Sequence, residues 1–173
     1  KSAGASIGLI GHRERRELFN ETNAILKDKV DAAIENNFQF IFCCGEPLEV
    51  RETHGHFELI AKQLKDALLE ISIEQMQRIT IAYEPVWAIG TGVTANENQV
   101  ESAHSSVRNI LKELYPESDT IHVLYGGSVK SGNAEELIQI PGVNGFLIGG
   151  ASLDVESFAS ITRTVETVQL RTL

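Results

Sequence analysis

Cysteine is scarce in this chain. There are two in 173 residues, and they are neighbours, Cys43 and Cys44. A disulfide framework needs an even set of spaced cysteines, so this is not one, and a reducing compartment is expected. Long hydrophobic runs are also missing: none approaches the ~18 residues of a bilayer span, and no secretory leader pattern is visible. Basic residues are few, with 15 Lys and Arg against 24 Asp and Glu and a net charge of −9. That balance argues against a nucleic-acid or anionic-membrane surface. It stays compatible with an anionic small ligand, because local dipoles and single charges dominate a pocket. No linker-like or low-complexity stretch breaks the chain, so a single domain over residues 1–173 is expected. Hydrophobic content of 42% and charged content of 23% suit a packed core. The chain opens on Lys1 rather than Met, which is expected of a piece of a longer protein.

Five short apolar runs are present, at residues 5–10, 38–44, 79–83, 121–125 and 143–148. They are nearly continuous rather than alternating, as in strands buried on both faces of a parallel sheet. Between and after them, residues 14–36, 56–69, 98–115, 133–139 and 155–168 carry apolar residues at helical spacing. Asn96, Asn133 and Asp154 stand where helix N-caps are needed. Strict β-α alternation means an α/β fold with a parallel sheet, either doubly wound or a barrel. Polar and glycine-bearing residues follow every one of the five strands. They are His12, the Cys43–Glu46 stretch, Glu84, Gly126 to Ser128, and Gly149 with Gly150. A doubly wound site draws mainly on loops beside its switch point. Contributions from every strand end suit the mouth of a barrel better. Gly90-Thr91-Gly92 lacks the third glycine of a dinucleotide fingerprint.

Glu84 ends an apolar strand and is followed by Pro85, Trp87, Gly90 and Gly92. Alone it would be read as a capping or salt-bridged carboxylate. A stiff, apolar, glycine-hinged loop directly after it fits instead a general base under a closing flap. A lone His such as His12 is more often structural. Here Gly11 lets the chain turn and a helix begins just after, which disfavours imidazolium. A neutral imidazole can donate to a carbonyl oxygen and move protons between oxygens. Glycines after strands are often mere turns, but bare N–H groups at Gly126 to Ser128 and at Gly149 and Gly150 also suit phosphate. The charged cluster Glu14, Arg15, Arg16, Glu46 and Glu49 reads as solvated surface. His54 and His56 have no third ligand nearby and read as a surface loop. Cys43 and Cys44 read as core.

Four segments, in order and each at a strand end, resemble the triosephosphate isomerase family: GHRERR at 11–16, AYEPVWAIGTG at 82–92, YGGS at 125–128 and LIGGAS at 147–152. The resemblance runs over about residues 4–165. It implies a TIM (β/α)8 barrel, with the five units here equivalent to strands four to eight and the three N-terminal units absent. It implies interconversion of dihydroxyacetone phosphate and D-glyceraldehyde 3-phosphate through an enediolate, as in glycolysis and gluconeogenesis. Glu84 would be the base and His12 the electrophile, a pairing for which the family is itself the standard case. Gly90, Ser128, Gly149 and Gly150 would hold the substrate phosphate, with Glu14 and Leu147 beside the site. Arg15 and Glu46 would belong to structural ion pairs. No metal or organic cofactor is implied. The partners implied are a phosphorylated triose and, as in the family, a second copy in a homodimer; the location implied is the cytoplasm.

Two departures carry expectations of their own. Arg13 stands where the family has Ser; it either pairs with Glu84 and lowers its basicity or points outward. No Lys here matches the substrate-contacting Lys of the family's first strand. The alternative function is therefore a catalytically dead phosphate-binding or scaffold fragment of the family. A different barrel enzyme, such as an aldolase or synthase, would need a Schiff-base Lys or paired acids at strand ends, and none of the five runs ends on Lys. Five strands of a barrel wall would leave two open edges and an apolar inner face.

Overall fold

A computed structural model describes residues 2–89 and 94–171 of the chain. Five strands form one all-parallel sheet: β1 (Ile7–Ile10), β2 (Gln39–Cys44), β3 (Ile79–Tyr83), β4 (Val123–Tyr125) and β5 (Gly145–Phe146). Their spatial order is their chain order, β1-β2-β3-β4-β5. With no reversal of order there is no switch point, so the doubly wound alternative falls away for these strands.

Parallel pairing in register sorts the side chains onto two faces. Ile10, Phe42, Ile81 and Val123 share one row, and Cys44, Tyr83, Tyr125 and Phe146 another. These rows form the face that the helices cover. α2 (Asn23–Glu35) lies on β1 and β2, α4 (His56–Leu68) on β2, and α6 (Glu97–Leu114) on β3 and β4. The opposite face starts with Ile7 and Leu9 on β1, which are 55% and 50% exposed. It continues through half-buried Ile41, Thr80 and Leu124. This second face is apolar and open at Ile7 and Leu9 among the described residues, while Cys43 and Ala82 on it are buried. The helices keep to their faces by spacing. Leu26, Val30 and Ala33 of α2 are buried, as are Ile60, Leu64, Ala67 and Leu68 of α4. The remaining long helix, α8 (Val155–Arg171), packs on α7 (Ala134–Gln139). No described helix is long and apolar enough to cross a membrane.

The helix expected over 14–36 is two helices. α1 (Arg13–Leu18) stops where Asn20 takes φ +52°, a left-handed turn that Asn tolerates better than most residues. α2 restarts at Thr22, whose Oγ1 accepts from Ile25 N at 3.4 Å. Two short helices had no sequence counterpart: α3 (Leu48–Glu52) and α5 (Ile73–Met76). Each is too brief to show a period. Asn96 caps α6 in a reciprocal box with Gln99, and Asp154 Oδ1 accepts from Ser157 N at 2.8 Å. Asn133 does otherwise: its carboxamide turns back to Lys130 N and Ser128 O, fixing the loop after β4.

α6 also carries a buried titratable group. His104 has no exposure and packs edge-on to the Tyr83 ring at 5.9 Å. Its Nδ1 lies 3.1 Å from Gly142 O, so that nitrogen bears the hydrogen, and Nε2 has no partner among the described residues. Burial pushes its pKa down to about 4. A base depressed in the folded state stabilises the fold above its unfolded value of about 6.5, and this stability is lost as pH falls toward 4. Across that window the fold is expected to lose about 3 kcal/mol, with unfolding taking up close to one proton over most of it. Urea titrations from pH 7 to pH 4 check this; His104→Gln is expected to flatten the dependence.

Candidate active site

The site is built at the C-terminal ends of the strands. β3 runs straight into Glu84, whose N–H donates to Cys44 O at 2.8 Å and so extends the sheet by one bond. Gly11 follows β1 with φ +81°, and a Cβ there would meet Cys43 O at 2.8 Å. Glycine is thus required for the turn that delivers His12. His12 is the N-cap of α1, and its carbonyl accepts from Arg15 N and Arg16 N. The two side chains meet there: His12 Nε2 is 3.1 Å from Glu84 Oε1. The other carboxylate oxygen accepts from Arg13 N at 3.0 Å.

Glu84 is 3% exposed. Burial raises its pKa above the ordinary carboxylate value, while His12, the Arg13 N–H and the nearby Arg13 and Arg16 charges pull it back. The Arg13 guanidinium itself turns outward, to Glu14 at 3.5 Å and Glu17 at 3.8 Å. Arg13 thus combines the two roles expected of it: its side chain pairs with Glu14 and Glu17 rather than Glu84, while its backbone N–H and its charge still oppose the rise in the Glu84 pKa.

Glycines close the packing around that carboxylate. A Cβ at Gly45 would lie 1.8 Å from Glu84 O, and one at Gly126 would lie 3.0 Å from Glu84 Cγ. Gly126 N donates to Tyr83 O, and Leu147 N to Tyr125 O, which carries the β4 and β5 ends to the same rim. Ser128 Oγ donates to Ala88 O at 3.2 Å, tying that rim to the segment after Glu84. The result is a cavity of about 780 Å³ lined by His12, Glu14, Glu84, Ser128, Leu147, Gly149 and Gly150, with Arg13, Ile89 and Lys130 beside them. Every expected site residue is there except Gly90, which lies outside the described residues.

Below the loop after Glu84 sits a second buried carboxylate. Glu46 Oε1 accepts from Arg51 Nη1 at 2.6 Å, Trp87 Nε1 at 2.9 Å and the Tyr83 hydroxyl at 3.1 Å. The Arg51 guanidinium also lies over the Trp87 ring, 4.6 Å from its centre. Trp87 is thereby fixed three residues beyond Glu84. Both charged residues expected in ion pairs have them: Glu46 with Arg51, and Arg15 with Glu21. Lys130 was not singled out from the sequence, and Arg16, read with its cluster as solvated surface, instead bonds inward to Gly11 O and Cys43 O. Arg16, four residues after His12 on a helix, was the one with a readable signal, because that spacing returns a side chain to the turn that holds His12.

Cys43 and Cys44 are buried free thiols, and burial pushes both pKa values up, that of Cys44 to about 12. They are core residues, not poised nucleophiles. Among the described residues no three His, Cys, Asp or Glu side chains converge as a metal would need, His54 and His56 included.

The triosephosphate isomerase family model matches residues 1–165. The chain belongs to the triosephosphate isomerase family. The triosephosphate isomerase of Amoebophilus asiaticus is 43% identical over 159 residues, which is 91% of this chain and 63% of that protein. Those of Flavobacterium johnsoniae and Cytophaga hutchinsonii are 41% and 44% identical over 166 residues, 95% of this chain and 66% of each of them. The chain thus spans slightly under two thirds of the length of these relatives. Its five-stranded parallel sheet is of the α/β class that the family shares.

Two outcomes follow from the packing and charge of Glu84. Gly45→Ala is expected to cost at least about 2 kcal/mol, because backbone must move to admit the methyl; thermal melting measures it. Glu84→Gln is expected to melt no lower than the parent at pH 7. A carboxylate raised in the folded state loses stability as pH climbs from about 4 through its folded value. The Gln variant's advantage should therefore open over that window and vanish below it.

Proposed function

We propose that this chain carries the isomerase centre of a triosephosphate isomerase, interconverting dihydroxyacetone phosphate and D-glyceraldehyde 3-phosphate. The observation that carries this reading is the 3.1 Å contact of His12 Nε2 with a buried Glu84, at the mouth of a cavity rimmed by Ser128, Gly149 and Gly150. Glu84 takes a proton from the carbon beside the carbonyl. The electron pair left behind forms the C=C bond of an enediolate, and the negative charge passes to the carbonyl oxygen. His12 donates to that oxygen and moves a proton between the two oxygens. Glu84 then returns its proton to the neighbouring carbon, so the reaction is redox-neutral overall and needs no cofactor. A pKa raised by burial suits Glu84 to this work, since a base closer to the working pH transfers protons more readily. Its oxygens are engaged by His12 and the Arg13 N–H, so the carboxylate must leave them to reach substrate.

Ser128, Gly149, Gly150 and, outside the described residues, Gly90 hold the phosphate, with Glu14 and Leu147 at the edges. The five strands stand for the fourth to eighth of the barrel. The family's homodimer, its cytoplasmic location and its place in glycolysis and gluconeogenesis belong to the same reading. A second reading, a phosphate-binding protein of this family without turnover, is favoured by the apolar Ile7–Leu9 face, which is exposed among the described residues.

A coupled assay with glyceraldehyde 3-phosphate, run beside Glu84→Gln, decides between them. The parent is expected to turn over and the variant to fall about 100- to 10,000-fold, the usual range for a general base. The parent's rate should rise with pH as Glu84 ionises. No turnover from folded parent, with inorganic phosphate still bound, would establish the second reading.

A further inference from the structure

Arg16 sits one turn into α1 and folds back beneath the turn that presents His12. Its Nε donates to Gly11 O at 2.7 Å and its Nη2 to Cys43 O at 3.0 Å. Its Nη1 donates at 3.0 Å to Asn23 Oδ1 at the start of α2, and Asn23 in turn donates to Asp66. Gly11 is the residue before His12. Cys43 is the register partner of Ala82, two residues before Glu84, and Glu84 N takes the next carbonyl, that of Cys44. One rigid planar group therefore joins the turn that carries His12 to β2, the strand beside the one that ends on Glu84.

We propose that Arg16 is a positioning residue of this site, setting the separation of His12 and Glu84 through the Gly11 and Cys43 carbonyls and placing a fixed positive charge beside Glu84. The inference rests on the reading in which those two residues do the chemistry. Three features support it. A planar fork fixes two acceptors at once, which an ammonium on a flexible stem does not. The seat is shaped for it: a Cβ at Gly11 would come within 3.0 Å of Arg16 Nη2. The charge is spent inside the protein, for burial lowers the Arg16 pKa while Glu84 and Glu21 support the cation. The groups that face Glu84 are His12, Arg13, Arg16 and the Cys43 thiol. Of these, it is Arg16 whose side chain bonds both the turn before His12 and the strand beside Glu84's own.

The test compares the full chain with Arg16→Met and Arg16→Lys by NMR and by turnover. The 13C titration of Glu84 and the 15N shift of His12 Nε2 are read in each. Arg16→Met is expected to move the Glu84 midpoint upward and to shift the His12 resonance. Its kcat is expected to fall about 10-fold or more with KM near the parent's, since small misplacements of reacting groups are costly. Arg16→Lys keeps the charge but not the fork, so it should return the Glu84 midpoint toward the parent's while kcat stays low and the His12 resonance stays shifted. Folded variants with the parent's titration, His12 resonance and kcat would overturn the proposal. If Arg16→Met does not fold, Arg16→Lys decides on the His12 resonance alone. If the parent does not turn over, the isomerase reading fails, while the two NMR readouts still judge Arg16.

Discussion

Taking a carboxylate out of water costs several kcal/mol unless donors replace the lost hydration. Glu84 meets that cost with one ring nitrogen and one backbone N–H, and much of the strand-end architecture exists to bring them there. The His12 nitrogen needs β1 to end on a glycine that can turn. The Arg13 N–H needs α1 to start at once, so that an orphan donor of its first turn points at the acid. Gly45 and Gly126 leave room where any side chain would press on Glu84. Burial and donors oppose each other in their effect on its pKa, and burial wins. The group is left ionisable but more basic than a surface Glu.

Glu46 solves the same problem differently. It gathers three donors on one oxygen, from Arg51, Tyr83 and Trp87. Those donors come from α3, β3 and the segment after Glu84. Its work is to fix the beginning of that segment. One carboxylate is thus held by two donors at the cavity wall, and the other by three donors on a single oxygen. The two lie on opposite sides of the β3 end, which shows how sharply environment divides the roles of identical side chains.

Strand placement was legible in the sequence because buried parallel strands are continuous apolar runs. The run at 79–83 was read to the residue, while the runs at 121–125 and 143–148 were read too long. Val123–Tyr125 and Gly145–Phe146 pair over fewer residues than their apolar stretches, because pairing depends on a neighbour and hydrophobicity does not. The 14–36 helix was over-read for a related reason. Apolar spacing continues across Phe19 to Thr22, and only the left-handed Asn20 breaks it. His12, Glu84 and the glycine rims were legible because each follows a strand. Arg16 and the Glu46 network were not, since a charged residue inside GHRERR or after Cys43-Cys44 looks like surface. Their meaning comes from which carbonyl or ring they reach across the sheet, and no local pattern encodes that.

The order of the sheet has a further consequence for how the chain comes together. Among the described residues each strand pairs with its neighbours in sequence, and no hydrogen-bonded ladder joins strands more distant in the chain. Closing each β-α-β loop costs the entropy of that loop and no more. Assembly can proceed unit by unit, with each helix burying its stripe as the next strand arrives, much as repeat proteins add modules. Among the described residues the register of these five strands is set by contacts within and between adjacent units.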